Sequence, residues 1–338
     1  MFKAGLKWMF LIMGTMIGAG YASGREIWQF FGYESGLAII LFTILFSTCC
    51  YIIMKISFEK KTFHYLPLLE VLLGKKLAGV YDLMVILYLF SVTVVMLAGG
   101  GAALEVFYLP FWAGITITVV LLVLLFIWDV QGMVSINALI MPVLVVGLLA
   151  ALLSFSIKTG QTFIFDWSRQ ENWPSAFTFT SLNVLPLVAV LAAIGKEIKH
   201  KGEIWIASIG SGVILGGITY LYNEILTQIA SDIVLYEIPL FAILKNHHDM
   251  MLIFMSIVLW IAIYTTAASG IVGLATRFRR KTSMPLWRLA LLLLVAMVPL
   301  TSFGFSALIA FLYPLYGLLN LYMLAALLLY PIANRYKW

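Results

Sequence analysis

In a chain this apolar, few side chains can do chemistry, and their positions narrow the options. Arg25 and Glu26 adjoin at the end of a glycine cluster, Ser181 and Asn183 stand just ahead of Pro186, and Thr265 and Thr266 adjoin in a later apolar run. Paired hydroxyls are hard oxygen donors of the kind small cations accept. They can equally bond the carbonyls of the preceding helical turn. Arg25 and Glu26 can line an outer entrance as a gate, or Glu26 can simply sit where a helix N-terminus favours an anion. Catalytic groups are not assembled. His64, His200, His247 and His248 fall in loops or at the ends of apolar runs, and His247-His248-Asp249 reads as a solvated loop rather than a metal site. With no Ser-His-Asp or zinc-protease pattern, the chain is read as not an enzyme, with no catalytic residue and no organic cofactor.

The elements that must position these residues are membrane spans. With 63% hydrophobic and 11% charged residues and a mean hydropathy of +1.05, the 338-residue chain is a polytopic, all-α membrane protein whose immediate partner is the lipid bilayer. Its net charge of +6 would suggest nucleic acid in a soluble protein. Here the basic residues are explained by topology, and no nucleic-acid partner is expected. Cys49 and Cys50 are adjacent within an apolar run and imply neither a disulfide framework nor a metal cluster. Nothing in the pattern specifies an oligomeric state.

The first span contains Gly14-Thr-Met-Ile-Gly-Ala-Gly-Tyr-Ala-Ser-Gly24. Each glycine costs about 1 kcal/mol against alanine in a helix, so the cluster predicts a break, non-helical around Gly18 to Ala22. A broken backbone in lipid is tolerated only where protein or a water-filled cavity satisfies it, and such a break marks a binding site. The GxxxG pair Gly14 and Gly18 also allows plain close packing. A dinucleotide fingerprint is excluded, because no strand precedes the glycines.

Ten spans are expected, at about 6–31, 36–56, 77–106, 110–128, 132–157, 174–198, 203–227, 250–276, 284–300 and 303–330, with breaks or bends at Pro142, Pro186, Pro299 and Pro314. Lysine and arginine fall on alternate loops. They place both termini, Lys60, Lys199, Arg279, Arg280, Lys281, Arg335 and Lys337 in the cytoplasm, and Arg25, Lys158, Arg169 and Lys245 outside. The expected location is the cytoplasmic membrane. Connections 58–73 and 233–244 have the mixed composition of interfacial helices and follow the second and seventh spans. This spacing implies a five-plus-five inverted repeat: residues 1–157, an outer linker 158–173, and residues 174–338, all in one membrane domain. The sixth span, inverted partner of the first, is then expected to break around Ser181 to Asn183. Gly99-Gly100-Gly101 permits either close backbone approach or room for a ligand, and Gly210, Gly212, Gly216 and Gly217 read as a packing face.

Through its ten spans, its repeat, and the runs Gly-Thr-Met-Ile-Gly-Ala-Gly-Tyr-Ala-Ser-Gly-Arg-Glu and Tyr-Thr-Thr-Ala-Ala-Ser, the chain resembles LeuT-fold transporters. Among these it is most similar to YkvI-like bacterial proteins of the amino acid-polyamine-organocation superfamily. The resemblance implies broken helices 1 and 6 and a secondary transporter, moving a small amino acid or related organic solute by alternating access. It further implies a sodium ion held by the carbonyls of Gly14, Ile17 and Ala262 and the hydroxyls of Thr265 and Thr266. The fifth span offers no lysine that would replace it, and Tyr21 stands where a second sodium site would need asparagine. Substrate is implied near Gly18, Ala19, Gly20, Tyr21, Ala22, Gly100, Ser181, Leu182 and Asn183. No buried acidic residue marks a cationic substrate. Two alternatives accompany this reading: proton coupling, and a non-transporting sensor similar to germinant receptor subunits.

Overall fold

A computed structural model describes residues 1–128, 132–160, 169–245, 247, 249–279 and 284–334, with 128 and 132–139 described in their backbone only. Residues 161–168 of the linker, His248, and the basic loop residues Arg280, Lys281, Arg335 and Lys337 lie outside the described residues.

The helices follow the apolar runs. They are α1 (Phe2–Met16), α2 (Ala19–Ala22), α3 (Arg25–Phe30), α4 (Gly36–Lys60), α5 (Leu66–Leu104), α6 (Phe111–Trp128), α7 (Gly132–Thr159), α8 (Ser175–Ala193), α9 (Lys201–Gln228), α10 (Ala230–Ile233), α11 (Pro239–Leu244), α12 (Asp249–Arg279), α13 (Leu286–Met297), α14 (Phe305–Leu319) and α15 (Leu321–Ala333). Among the described residues, 8 helices are long and apolar enough to cross a membrane, and the fourth expected span is the shorter Phe111–Ile127. The first expected span is divided into α1, α2 and α3. Pro142, Pro186 and Pro314 lie inside helices, and Pro299 starts a change of helix type in the 3-10 segment Val298–Phe303.

Two groups of helices emerge from the packing. Helices α1, α4, α8 and α9 pack on one another, as do α5, α6, α12 and α13, while α14 bridges α8 and α5. Small residues permit the close approaches. A Cβ on Gly212 or Gly216 would collide with Ser47 or Thr43 of α4, which makes that stretch the packing face its composition suggested. Across the first group, the indole Nε1 of Trp8 donates to Glu203 Oε2 at 3.1 Å and so pairs a buried carboxylate.

The connections are structured, with one departure from expectation. Gly74, at φ 78 and ψ 163, separates the opening segment of α5 from its long span, a left-handed turn that other residues rarely adopt. On the opposite face, every residue of α11 is buried. This helix does not lie at a lipid interface, because Leu240, Phe241, Ile243 and Leu244 find their apolar partners in protein, where α11 packs against α7, α9 and α12.

Candidate functional site

The break in the first span is two short interruptions around one helical turn. At Met16 the ladder stops: the Gly18 amide, which in a continuous helix would reach Gly14, donates instead to the Met16 carbonyl at 2.8 Å. The Gly14 carbonyl is thereby released from its helical donor, and Ile17 takes ψ 78, which turns its own carbonyl off the helical path. Gly18 is extended and nothing lies within 4 Å of where its Cβ would be. Residues Ala19–Ala22 are helical, contrary to the expectation of an irregular Gly18 to Ala22, since Ala22 and Ser23 amides find Gly18 and Ala19 carbonyls at 2.9 and 2.8 Å. The second interruption is Gly24, left-handed at φ 82, where a Cβ would lie 2.6 Å from the Tyr222 hydroxyl. Both its conformation and that contact require glycine.

Beyond the break, Arg25 and Glu26 part company. Arg25 reaches the connection ahead of α11, with Nη2 to the Tyr236 carbonyl at 2.5 Å and Nε to the Glu237 carbonyl at 3.3 Å. The Leu240 amide in turn donates to the Ser23 carbonyl at 2.9 Å, so α11 is fastened across the break. Glu26 points the other way and is 5% exposed. No buried acidic residue was expected to mark a cationic substrate; Glu26 is a buried acidic side chain in the divided span. The residue count after the break puts Arg25 on the face towards α11 and Glu26 on the face towards α8 and α14, both of which pack on α3. An ionisable residue inside an apolar span was the signal available in the sequence. Tyr88 and Tyr313, which share its surroundings, carried no such signal.

On α12, the Thr265 and Thr266 hydroxyls both donate to the Ala262 carbonyl, at 3.1 and 2.8 Å, so the three oxygens are clustered. This is the local back-bonding that hydroxyls make in any helix, in which each hydroxyl oxygen remains an acceptor by chemistry. Thr266 also shares a cavity of about 510 Å³ with Thr15 of α1. That cavity runs from Tyr88 and Pro186 towards Tyr65 and Arg277 at the face carrying the N-terminus. There the Arg277 guanidinium pairs with Asp82, whose other oxygen accepts the Tyr65 hydroxyl at 2.7 Å.

The remaining residues named from the sequence are placed unequally. Gly20 lies against Glu26, and the Asn183 side chain lies beside Glu26, so α2, α3 and α8 meet at one point. Tyr21 turns away, its hydroxyl 2.8 Å from Thr219 Oγ1 and 3.2 Å from the Leu215 carbonyl. Gly100 packs on α6, where a Cβ would lie 2.7 Å from Thr118 Oγ1. Ala19, Ala22 and Leu182 are buried.

The expected break at Ser181 to Asn183 is not formed: α8 is helical from Ser175 to Ala193. Its polar groups bond backward instead of freeing the chain. Asn183 Nδ2 donates to the Phe179 carbonyl at 2.9 Å, Thr180 to Ala176 at 2.6 Å, and Ser181 to Thr178 at 2.9 Å and Gly317 at 2.5 Å. Pro186 removes one donor, which a helix packed on both sides withstands.

No family model matches the sequence. The chain is similar to the protein YyaD of Bacillus subtilis (strain 168), with 55% identity over 337 residues and 100% of both chains covered. It is 25% identical to the membrane protein YkvI of the same organism, over 94% of each chain. Among solved structures, a mutant form of a manganese transporter of Eremococcus coleocola matches with a TM-score of 0.62 at 15% identity, covering 95% of this chain and 78% of that one. The inward facing conformation of Mhp1 matches with a TM-score of 0.55 at 11% identity, covering 96% and 75%. At such identities these likenesses bear on the fold alone. The chain belongs to the family of Bacillus subtilis YyaD, with YkvI a more distant relative, and its fold is the LeuT fold.

Proposed function

We propose that this protein is a sodium-coupled secondary transporter of a small amino acid or related organic solute, resident in the cytoplasmic membrane and working by alternating access. The observation that carries the reading is the divided first helix, sealed on one side by α11 and flanked on the other by the 510 Å³ cavity. A site closed to one face and reachable from the other is what one state of an alternating-access cycle requires. If the lysine and arginine pattern sets the orientation, this state faces the cytoplasm.

Sodium coupling is supported by the released carbonyl of Gly14, the turned carbonyl of Ile17, and the clustered oxygens of Ala262, Thr265 and Thr266. Neutral oxygens of this kind suit a monovalent hard cation, whereas calcium and magnesium recruit carboxylates. A protein of similar fold transports manganese. Among the described residues, however, no group of three or more His, Cys, Asp or Glu side chains assembles here, which favours an organic cargo. The two groups whose relative movement would exchange the open faces are α1, α4, α8 and α9 on one side and α5, α6, α12 and α13 on the other, each drawing helices from both 1–157 and 174–338.

The deciding experiment is uptake by the purified protein in sealed liposomes, screened over labelled amino acids and amines with an inward sodium gradient. Accumulation above the equilibrium level that collapses when sodium is replaced by choline is the expected result. Binding without accumulation under any gradient would refute transport and point to a sensing subunit. Accumulation driven by a pH gradient and indifferent to sodium would replace sodium by the proton.

A further inference from the structure

Glu26 is the one feature of the site that the sodium reading leaves unused. Its carboxyl is buried at the meeting point of four elements. Gly20 of α2 leaves room for it, since a Cβ there would lie 2.8 Å from Glu26 Oε2 and 3.4 Å from the Tyr313 hydroxyl. Asn183 of α8 lies beside it, and Tyr88 of α5 and Tyr313 of α14 lie within electrostatic range. Among the described residues the ion pairs are Lys7–Glu197, Lys245–Asp232 and Arg277–Asp82, and Glu26 belongs to none of them. Its neighbour Arg25 is committed to the Tyr236 and Glu237 carbonyls. A carboxylate buried without a cation is costly, and inside a membrane span it is a functional group by default.

We propose that Glu26 is the counter-charge for the protonated amine of the transported solute, so that the substrate class is small solutes carrying a primary ammonium group. This rests on the transporter reading above. A single carboxylate with an amide and tyrosine side chains in its surroundings suits an organic ammonium, which gains from the charge and from neighbouring aromatic rings. It offers too few oxygens for a divalent metal. Tyr88 links the two, lining the cavity and lying within electrostatic range of Glu26.

The test uses the purified full-length chain and paired probes: ethanolamine against ethylene glycol, alaninamide against lactamide, and alanine against lactate. Each pair exchanges ammonium for hydroxyl. Thermal stabilisation should appear with amines and not with their hydroxyl partners. Glu26→Gln should weaken amine binding by roughly 30-fold or more, since it removes one partner of a buried charge pair. Glu26→Asp, which retains the charge, should keep amine selectivity with reduced affinity, and so serves if the glutamine variant does not fold. Equal response to both members of each pair, amine binding unchanged in Glu26→Gln, or no stabilisation by any amine would each overturn the proposal. Amine binding without accumulation in liposomes would leave this site standing and remove transport. Sodium-driven accumulation of a solute without an ammonium group, unaffected by Glu26→Gln, would do the reverse.

Discussion

Arg25 holds Glu237 by its backbone, Nε to the carbonyl at 3.3 Å, while the Glu237 carboxylate is turned away to accept the Ser306 amide at 2.7 Å. One residue thereby ties the resumed first helix to the N-terminus of α14, and the connection ahead of α11 is drawn over the break. Arg25→Gln removes charge-assisted bonds worth about 1.5–3 kcal/mol to this closure. A cysteine placed at Leu240, which is buried, should then react faster with a water-soluble maleimide than in the Arg25 background. Native Cys49 and Cys50 are buried and should contribute little labelling. Unchanged reactivity at position 240 would show that Arg25 does not fasten this face.

Replacing both Thr265 and Thr266 by valine removes two oxygens at nearly constant volume. Both hydroxyls bond back to the Ala262 carbonyl within one helical turn, a contact the helix does not depend on, so the helix should persist. Ligand binding in the wild type is expected to tighten with sodium and not with potassium or choline, and by linkage sodium binding should tighten with ligand. In the double variant that dependence should vanish. Its persistence at wild-type strength would rule the sodium site out.

Ser181 is expected to matter for stability and not for ligand binding. Its hydroxyl is wholly buried and donates to Gly317 at 2.5 Å, across the contact between α8 and α14. Ser181→Ala leaves that carbonyl without its donor, at a cost of about 1–3 kcal/mol, measurable as a lower unfolding midpoint. A large loss of ligand affinity at unchanged stability would instead make Ser181 a ligand.

Orientation can be read by cysteine labelling from outside intact cells. Positions 169 and 245 should be reached and position 199 should not, following the lysine and arginine asymmetry. Lys245 stands beside Asp232, whose carboxylate holds the ammonium above its ordinary range, and the pair joins α10 to the end of α11. Strong external labelling at 199 would invert the whole scheme, including which side the cavity faces.

The membrane class, the succession of helical spans and the place of the first break were legible in the residues alone, because hydropathy and glycine content act locally, within a turn or two of the chain. The same locality explains the misreadings. Ser181 to Asn183 ahead of Pro186 looks like a break until Gly317, 136 residues away, supplies an acceptor for Ser181. Gly100 looks like room for a ligand until α6 fills the space. Composition suggested that 233–244 lies on the membrane, and only the packed structure shows α11 buried in protein. Glu26 shows the division most sharply. The sequence places an acidic side chain just past the break, but whether it faces water or the interior depends on how α3 is turned against α8 and α14. That rotation is set by contacts between residues far apart in the chain, and it alone turned Glu26 inward and Arg25 towards the seal.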